Sequence, residues 1–112
     1  MSKSILIIQG HPDPAPERLC RALAQAYRRG AEAAGAEVRE VDVARLDFPL
    51  LRTEADFHRG RDGAPDPIRR AAADIAWADH LLIIYPLWMG DTAALLKAFF
   101  EQTFRPGFAL SY

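Results

Sequence analysis

The sequence predicts an α/β domain with a doubly wound parallel sheet, and three observations lead there. Two short, unbroken runs of branched apolar residues, Ile5-Leu6-Ile7-Ile8 and Leu81-Leu82-Ile83-Ile84, have the pattern of strands buried on both faces. Segments with apolar residues at helical spacing alternate with the strand segments, so the order reads β-α-β-α-β-α, which favours parallel strands with helices on both faces. Both apolar runs end in a loop punctuated by Pro and Gly that opens a helix, the place where open α/β sheets bind ligands.

Ser4 to Gln9 reads as the first strand, bounded by Gly10 and the prolines beyond it. The loop Gly10 to Pro16 leads into a helix whose apolar or small positions Leu19, Leu23, Ala26, Tyr27 and Gly30 recur at helical spacing, with Gly35 as the cap at its end. Glu37 to Val43 places Val38, Val41 and Val43 among charged residues, which suits a strand nearer a sheet edge, and Asp42 lies near its carboxyl end. Ala44 to Gly63 is mostly connection, long enough to suggest a functional or partly helical segment, with Leu46, Phe48, Leu50, Leu51 and Phe57 as anchors over the sheet. Asp66-Pro67 supplies a helix N-cap and a preset first turn, followed by the stripe Ile68, Ala72, Ile75 and Ala76. After the strand Leu81 to Tyr85, Pro86 cannot provide the amide that would continue it. Asp91 or Thr92 is the expected cap of a last helix with the apolar face Leu95, Leu96, Phe99, Phe100 and Phe104. The sequence stops where two more β-α units are expected, so the expectation is one domain, residues 1–112, lacking its carboxyl-terminal part.

Composition is that of an ordinary globular chain, 50% hydrophobic and 26% charged, which argues against disorder. A net charge of -1 gives no bias towards nucleic acid, and the Arg59-Gly60-Arg61 cluster is too small and too flanked by acids to change that. No apolar run approaches the roughly 20 residues of a spanning helix, so no integral membrane segment is expected. The lone Cys20 excludes an internal disulfide, and Met-Ser-Lys-Ser lacks the apolar length of a signal peptide, so a cytoplasmic location is expected. His11, His58 and His80 are too dispersed for a metal site.

The loop Gly10-His11-Pro12-Asp13-Pro14-Ala15-Pro16-Glu17-Arg18 delivers the amides of a helix start to the sheet's carboxyl edge, where His11 and Arg18 can add donors to a phosphate. The second loop, Pro86-Leu87-Trp88-Met89-Gly90, offers an aromatic plane and a polarisable thioether as the other wall. Taken singly, Trp88 is more simply a packing residue, Arg18 a solvated one, and Cys20 a buried small hydrophobe. Neither a Walker motif nor G-x-G-x-x-G is present, so neither nucleotide hydrolysis nor a Rossmann nicotinamide site is indicated. A receiver-like domain is disfavoured because Asp13 and Asp42 are the only acids at the strand ends.

Four stretches nonetheless resemble one family: Ile5 to Pro12, Leu19-Cys20-Arg21-Ala22-Leu23, Leu46-Asp47-Phe48-Pro49-Leu50-Leu51 and, above all, Tyr85 to Tyr112. They are similar to the NAD(P)H:quinone oxidoreductases, the DT-diaphorase-like group of flavodoxin-like flavoproteins, over the amino-terminal part of that family's domain. The resemblance implies a flavodoxin-like doubly wound sheet with three strands visible. It implies a flavin cofactor, with FAD favoured over FMN, NAD(P)H as co-substrate, a quinone-like acceptor and a homodimer. It places His11 near the flavin diphosphate, and Arg18, Leu19 and Cys20 where the family has Ser-Phe-Asn at the helix start. Pro86, Leu87, Trp88, Met89 and Gly90 match the loop around the isoalloxazine ring. Trp88, Met89 and Tyr112 match the substrate pocket. Arg18 in place of a small hydroxyl residue, Met89 in place of an aromatic one and Ala93 in place of Pro are departures. The family's later ring-contacting strand and loop, with its Thr-Gly-Gly-like turn, have no counterpart in this sequence. That absence sustains a rival expectation, a truncated flavodoxin-like module that binds flavin weakly or not at all and acts by association, since an open apolar sheet edge recruits another chain.

Overall fold

In a computed structural model that describes residues 3–60 and 63–104, β1 (Ser4–Gln9), β2 (Glu37–Asp42) and β3 (His80–Ile84) form one parallel sheet in the order β2-β1-β3. The register aligns Gln9 with Asp42 on one side and with Ile84 on the other, so the three strands end level and define a single carboxyl edge. Period-two alternation in β1 then sorts the core into two layers. Ile5 and Ile7 point to α1 (Leu19–Ala33), where they meet Ala24, Tyr27 and Ala31 together with Val38, Leu82 and Ile84 of the flanking strands. Leu6 and Ile8 point to the opposite face, against Ile68 and Ala71 of α3 (Asp66–Trp77) and Leu96 and Phe99 of α4 (Ala94–Thr103). Leu6, Ile7, Ile8, Ile68, Leu96 and Phe99 are fully buried, each contributing about 1.5–3 kcal/mol of apolar burial.

Local chemistry explains the ends of these elements. Gly35, at φ 91°, closes α1: its amide donates to the Glu32 carbonyl and that of Ala36 to the Ala31 carbonyl, the paired bonds of a Schellman cap. The long connection is ordered by a 3-10 turn over Val43–Arg45 and by α2 (Glu54–His58), whose Thr53 hydroxyl accepts from the Asp56 amide. Leu46 and Phe48 anchor it to the α4 layer, and the Gln102 side-chain amide donates to the Pro49 carbonyl at 2.6 Å. No helix among the described residues is long and apolar enough to cross a membrane.

Several expectations are corrected. The buried stripe of α1 is Cys20 and Ala24, with Tyr27 and Ala31 beside them, while Leu19 and Leu23 are exposed. The two stripes have the same spacing one residue apart; small residues bring the helix close to the sheet, and leucines cannot. β2 ends at Asp42, with Val43 beginning the 3-10 turn, and β3 is His80–Ile84 rather than Leu81 to Tyr85. β3 is not buried on both faces: Leu81 and Ile83 remain more than a third exposed, because among the described residues β3 pairs only with β1. Leu50 is exposed rather than anchored. Pro65, not Asp66, occupies the N-cap of α3, and Asp66 pairs with Arg69. Ala93 caps α4, while the Asp91 carboxylate accepts from the Thr92 amide. Arg61 and the run 105–112, Tyr112 included, lie outside the described residues.

The core and the corrected face of α1 have a direct test. Phe99→Ala should cost about 3–5 kcal/mol in urea unfolding, as a large buried ring leaves a cavity, while Leu23→Ser should stay within about 0.5 kcal/mol of the parent. A large loss at Leu23 would restore the original stripe.

Candidate functional site

Gly10 brings the two loops of the carboxyl edge together. Its amide donates to the Ile84 carbonyl at 2.7 Å, so the chain leaving β1 is bonded to the last residue of β3. A Cβ at this position would lie 2.7 Å from Leu96 Cδ2 and 3.0 Å from the Ile84 carbonyl oxygen, so α4 and β3 can close in only on a glycine. Beyond Gly10 the β1–α1 loop carries His11 to the side chain of Trp88, their rings meeting edge to face with centroids 5.5 Å apart. That contact makes one crevice of the two loops.

The β1–α1 loop is held by its own side chains. Buried Gln9 donates to the Cys20 carbonyl at 3.0 Å and accepts from the His11 amide, tying the strand end to α1. The Asp13 amide donates to His11 Nδ1 at 3.0 Å, so a neutral His11 carries its proton on Nε2. The Ala15 amide donates to Asp13 Oδ1 at 2.9 Å, and Arg18 donates to Asp13 Oδ2 through Nε at 3.0 Å and through its terminal nitrogen at 2.7 Å. The Ala15 amide first, and then Arg18, hold the Asp13 carboxyl below the usual carboxylate range. With those amides engaged and Pro12, Pro14 and Pro16 providing none, the donors this end of the chain offers a ligand include the uncapped first-turn amides of α1 at Leu19 and Cys20, the His11 Nε2–H and the Arg18 guanidinium. The Arg18–Asp13 pair is solvent-exposed, with the Arg18 side chain 48% accessible, so exchanging Asp13 for another anion costs little.

The second wall is a tight turn. The Trp88 amide donates to the Asp91 carbonyl at 2.9 Å and the Asp91 amide to the Trp88 carbonyl at 3.0 Å, closing a two-residue turn in which Met89 (φ 53°) and Gly90 (φ 78°) both have positive φ. Positive φ is easy for Gly90 and strained for Met89, whose side chain is held wholly in solvent. Leu87 and Trp88 are exposed beside it, leaving the amides of Leu87, Met89 and Gly90 unengaged among the described residues.

The structure therefore brings His11, Arg18, Leu19, Cys20, Trp88, Met89 and Gly90 to one edge, with Pro86 and Leu87 on the path between β3 and the turn. Cys20 is buried, so only its backbone faces that edge, and the Leu19 side chain projects into solvent. Sequence reasoning gave Gln9, Arg21 and Asp42 no role in the site. Arg21 pairs with Asp42 at 2.6 Å and also donates to the carbonyls of His11 and Asp13. Level strand ends were the available signal: Gln9 and Asp42 are the last residues of paired strands, where a polar side chain meets the neighbouring loop. A groove of about 850 Å³ lies at the opposite, amino-terminal edge, lined by Lys3, Ile5, Tyr27 and small residues such as Ala31 and Gly35, away from these groups.

Fold and crevice together define a parallel α/β protein, a class in which ligands bind outside the carboxyl ends of the strands. The flavodoxin-like fold family matches residues 3–112, and the chain belongs to that family. Over 89 residues it is 32% identical to an FMN-dependent NADH:quinone oxidoreductase of Nitratidesulfovibrio vulgaris, covering 70% of this chain and 43% of that protein. An NAD(P)H:quinone oxidoreductase from Methanothermobacter marburgensis superposes with TM-score 0.77 at 25% identity, over 94% of this chain and 55% of that one. An azoreductase from Bacillus anthracis shares the fold, with TM-score 0.69 at 18% identity over 100% of this chain and 60% of its own. The chain spans about half the length of the curated relatives it matches.

Replacing Met89 by Asn, the residue most tolerant of positive φ after glycine, should stabilise the chain by about 0.5–1 kcal/mol in urea unfolding with an unchanged m-value. Destabilisation would mean that the Met89 side chain makes a contact that offsets its strain.

Proposed function

We propose that the chain forms the flavin-binding half of an NAD(P)H-dependent oxidoreductase, with the flavin in the crevice between the β1–α1 loop and the Trp88 turn. The observation that carries this reading is the meeting of His11 and Trp88 above an end of α1 whose first-turn amides are uncapped. These residues fit a flavin: the Leu19 and Cys20 amides, Arg18 and the His11 Nε2–H suit the phosphate, Trp88 the flat ring, and the Leu87, Met89 and Gly90 amides its polar edge. Bound there, a flavin supplies hydride acceptance from a nicotinamide and two-electron delivery to an acceptor such as a quinone. The protein's own part is to hold the phosphate, stack on the ring, exclude water from one face and stabilise negative charge on the ring through the turn amides.

FMN is the moiety common to FMN and FAD, and every residue invoked addresses that shared part. The name of the Nitratidesulfovibrio relative supports FMN, whereas the family resemblance favours FAD. Titration with each flavin, followed by fluorescence, separates them. Trp88→Ala and His11→Ala should each weaken binding about tenfold or more while leaving the unfolding midpoint nearly unchanged. Unaltered affinity in both variants would remove the crevice from consideration.

Among the described residues one flank of β3 is unpaired, with Leu81 and Ile83 more than a third exposed, which supports association with another polypeptide, a homodimer being the simplest case. Sedimentation equilibrium should then show a dimer that Ile83→Lys dissociates. A monomer at all concentrations would contradict it.

A further inference from the structure

Arg21 is one of the best-engaged charged side chains of the described residues, and nothing in the flavin reading uses it. It sits on the first turn of α1 with its side chain only 12% exposed. One terminal nitrogen donates to Asp42 Oδ2 at the end of β2 at 2.6 Å; the other donates to the carbonyls of His11 at 3.3 Å and Asp13 at 3.0 Å. Both carbonyls belong to peptides whose nitrogen is a proline, Pro12 and Pro14, so neither peptide has an N–H by which the loop could fix its own plane. The same Asp42 oxygen also accepts from Arg45 Nε at 3.0 Å, a second anchor for the carboxylate.

Stability alone does not account for this arrangement. Arg21 Nε and Asp42 Oδ1 are both buried and unpartnered, so the ion pair bears desolvation that it does not recover in full. Buried ion pairs with unsatisfied atoms are commonly replaceable by apolar residues without loss of stability. What an apolar pair cannot replace is the hold on two proline-flanked carbonyls, and with it the placement of His11 against Trp88.

We propose that Arg21, braced by Asp42, is a positioning residue for the ligand crevice: it sets the β1–α1 loop, and through it His11, in the conformation that receives the flavin. This inference rests on the flavin reading for its ligand and on the loop geometry for its mechanism, and the two are tested apart. In the double variant Arg21→Met with Asp42→Leu, the unfolding midpoint should stay level or rise, while FMN affinity falls about ten- to a hundredfold, the weight of charge-assisted hydrogen bonds. Arg21→Lys, which keeps the charge but not the fork across two carbonyls, should recover only part of that loss. Hydrogen exchange supplies a readout that needs no flavin. The Asp13 amide, which donates to His11 Nδ1, should exchange faster in the double variant while the Ala24 amide within α1 is unchanged. A folded double variant with parental Asp13 exchange would overturn the proposal, whether or not flavin binds. Parental FMN affinity in that variant would overturn it too. Accelerated Asp13 exchange in a chain that binds no flavin would uphold the strut and sink only the flavin reading.

Discussion

Everything at the carboxyl edge depends on the close approach at Gly10. There the central strand ends, its amide is taken by the last carbonyl of β3, and Leu96 of α4 fills the space that a side chain would occupy. This single contact fixes the origin of both crevice loops and presses α4 onto the sheet. Core packing supports it from beneath, because Ile8 and Leu96 belong to the same buried layer. The crevice is therefore a consequence of how the sheet closes, and its two walls cannot drift apart without breaking the core.

Above that junction the organisation is polar rather than apolar. Gln9 binds the strand to α1, His11 and Asp13 consume the loop's own amides, and Arg21 ties the loop to the end of β2. Such a chain of bonds rigidifies a loop that three prolines would leave short of donors. It also leaves a division of labour: the interior of the loop is spent on itself, while the helix start and Arg18 face outward. An outward guanidinium beside unpaired helix amides suits a phosphate, and the exposed ring of Trp88 suits a flat heterocycle.

Much of this was legible in the residues. The boundaries of β1 follow from an apolar run stopped by glycine and proline, and the turn after β3 from Pro86 and Gly90, because these residues act through local backbone chemistry. The face of α1 was not legible. Leu19 and Leu23 carry the stronger hydrophobic signal, yet the Gln9 bond to the Cys20 carbonyl and the Arg21–Asp42 pair set the helix so that Cys20 and Ala24 meet the sheet. Hydrophobic spacing has no access to those partners, which lie on other strands. Nor could it show that β3 is the outer strand among the described residues, with Leu81 and Ile83 more than a third exposed, since an apolar run is the same whether or not a neighbour pairs with it. The two loops, with His11, Arg18 and Trp88, follow from their place at the strand ends, and Leu19 and Cys20 from motif resemblance; their juxtaposition required the fold.

The account's central claim is the location of the ligand at this edge, and amide chemical-shift mapping of the labelled chain with FMN addresses it most directly. Shifts should concentrate in residues 10–21 and 85–92, with the Trp88 indole among the largest. Shifts clustered instead around Tyr27, Ala31 and Gly35, at the groove on the opposite edge, or an unperturbed spectrum at saturating FMN, would contradict it.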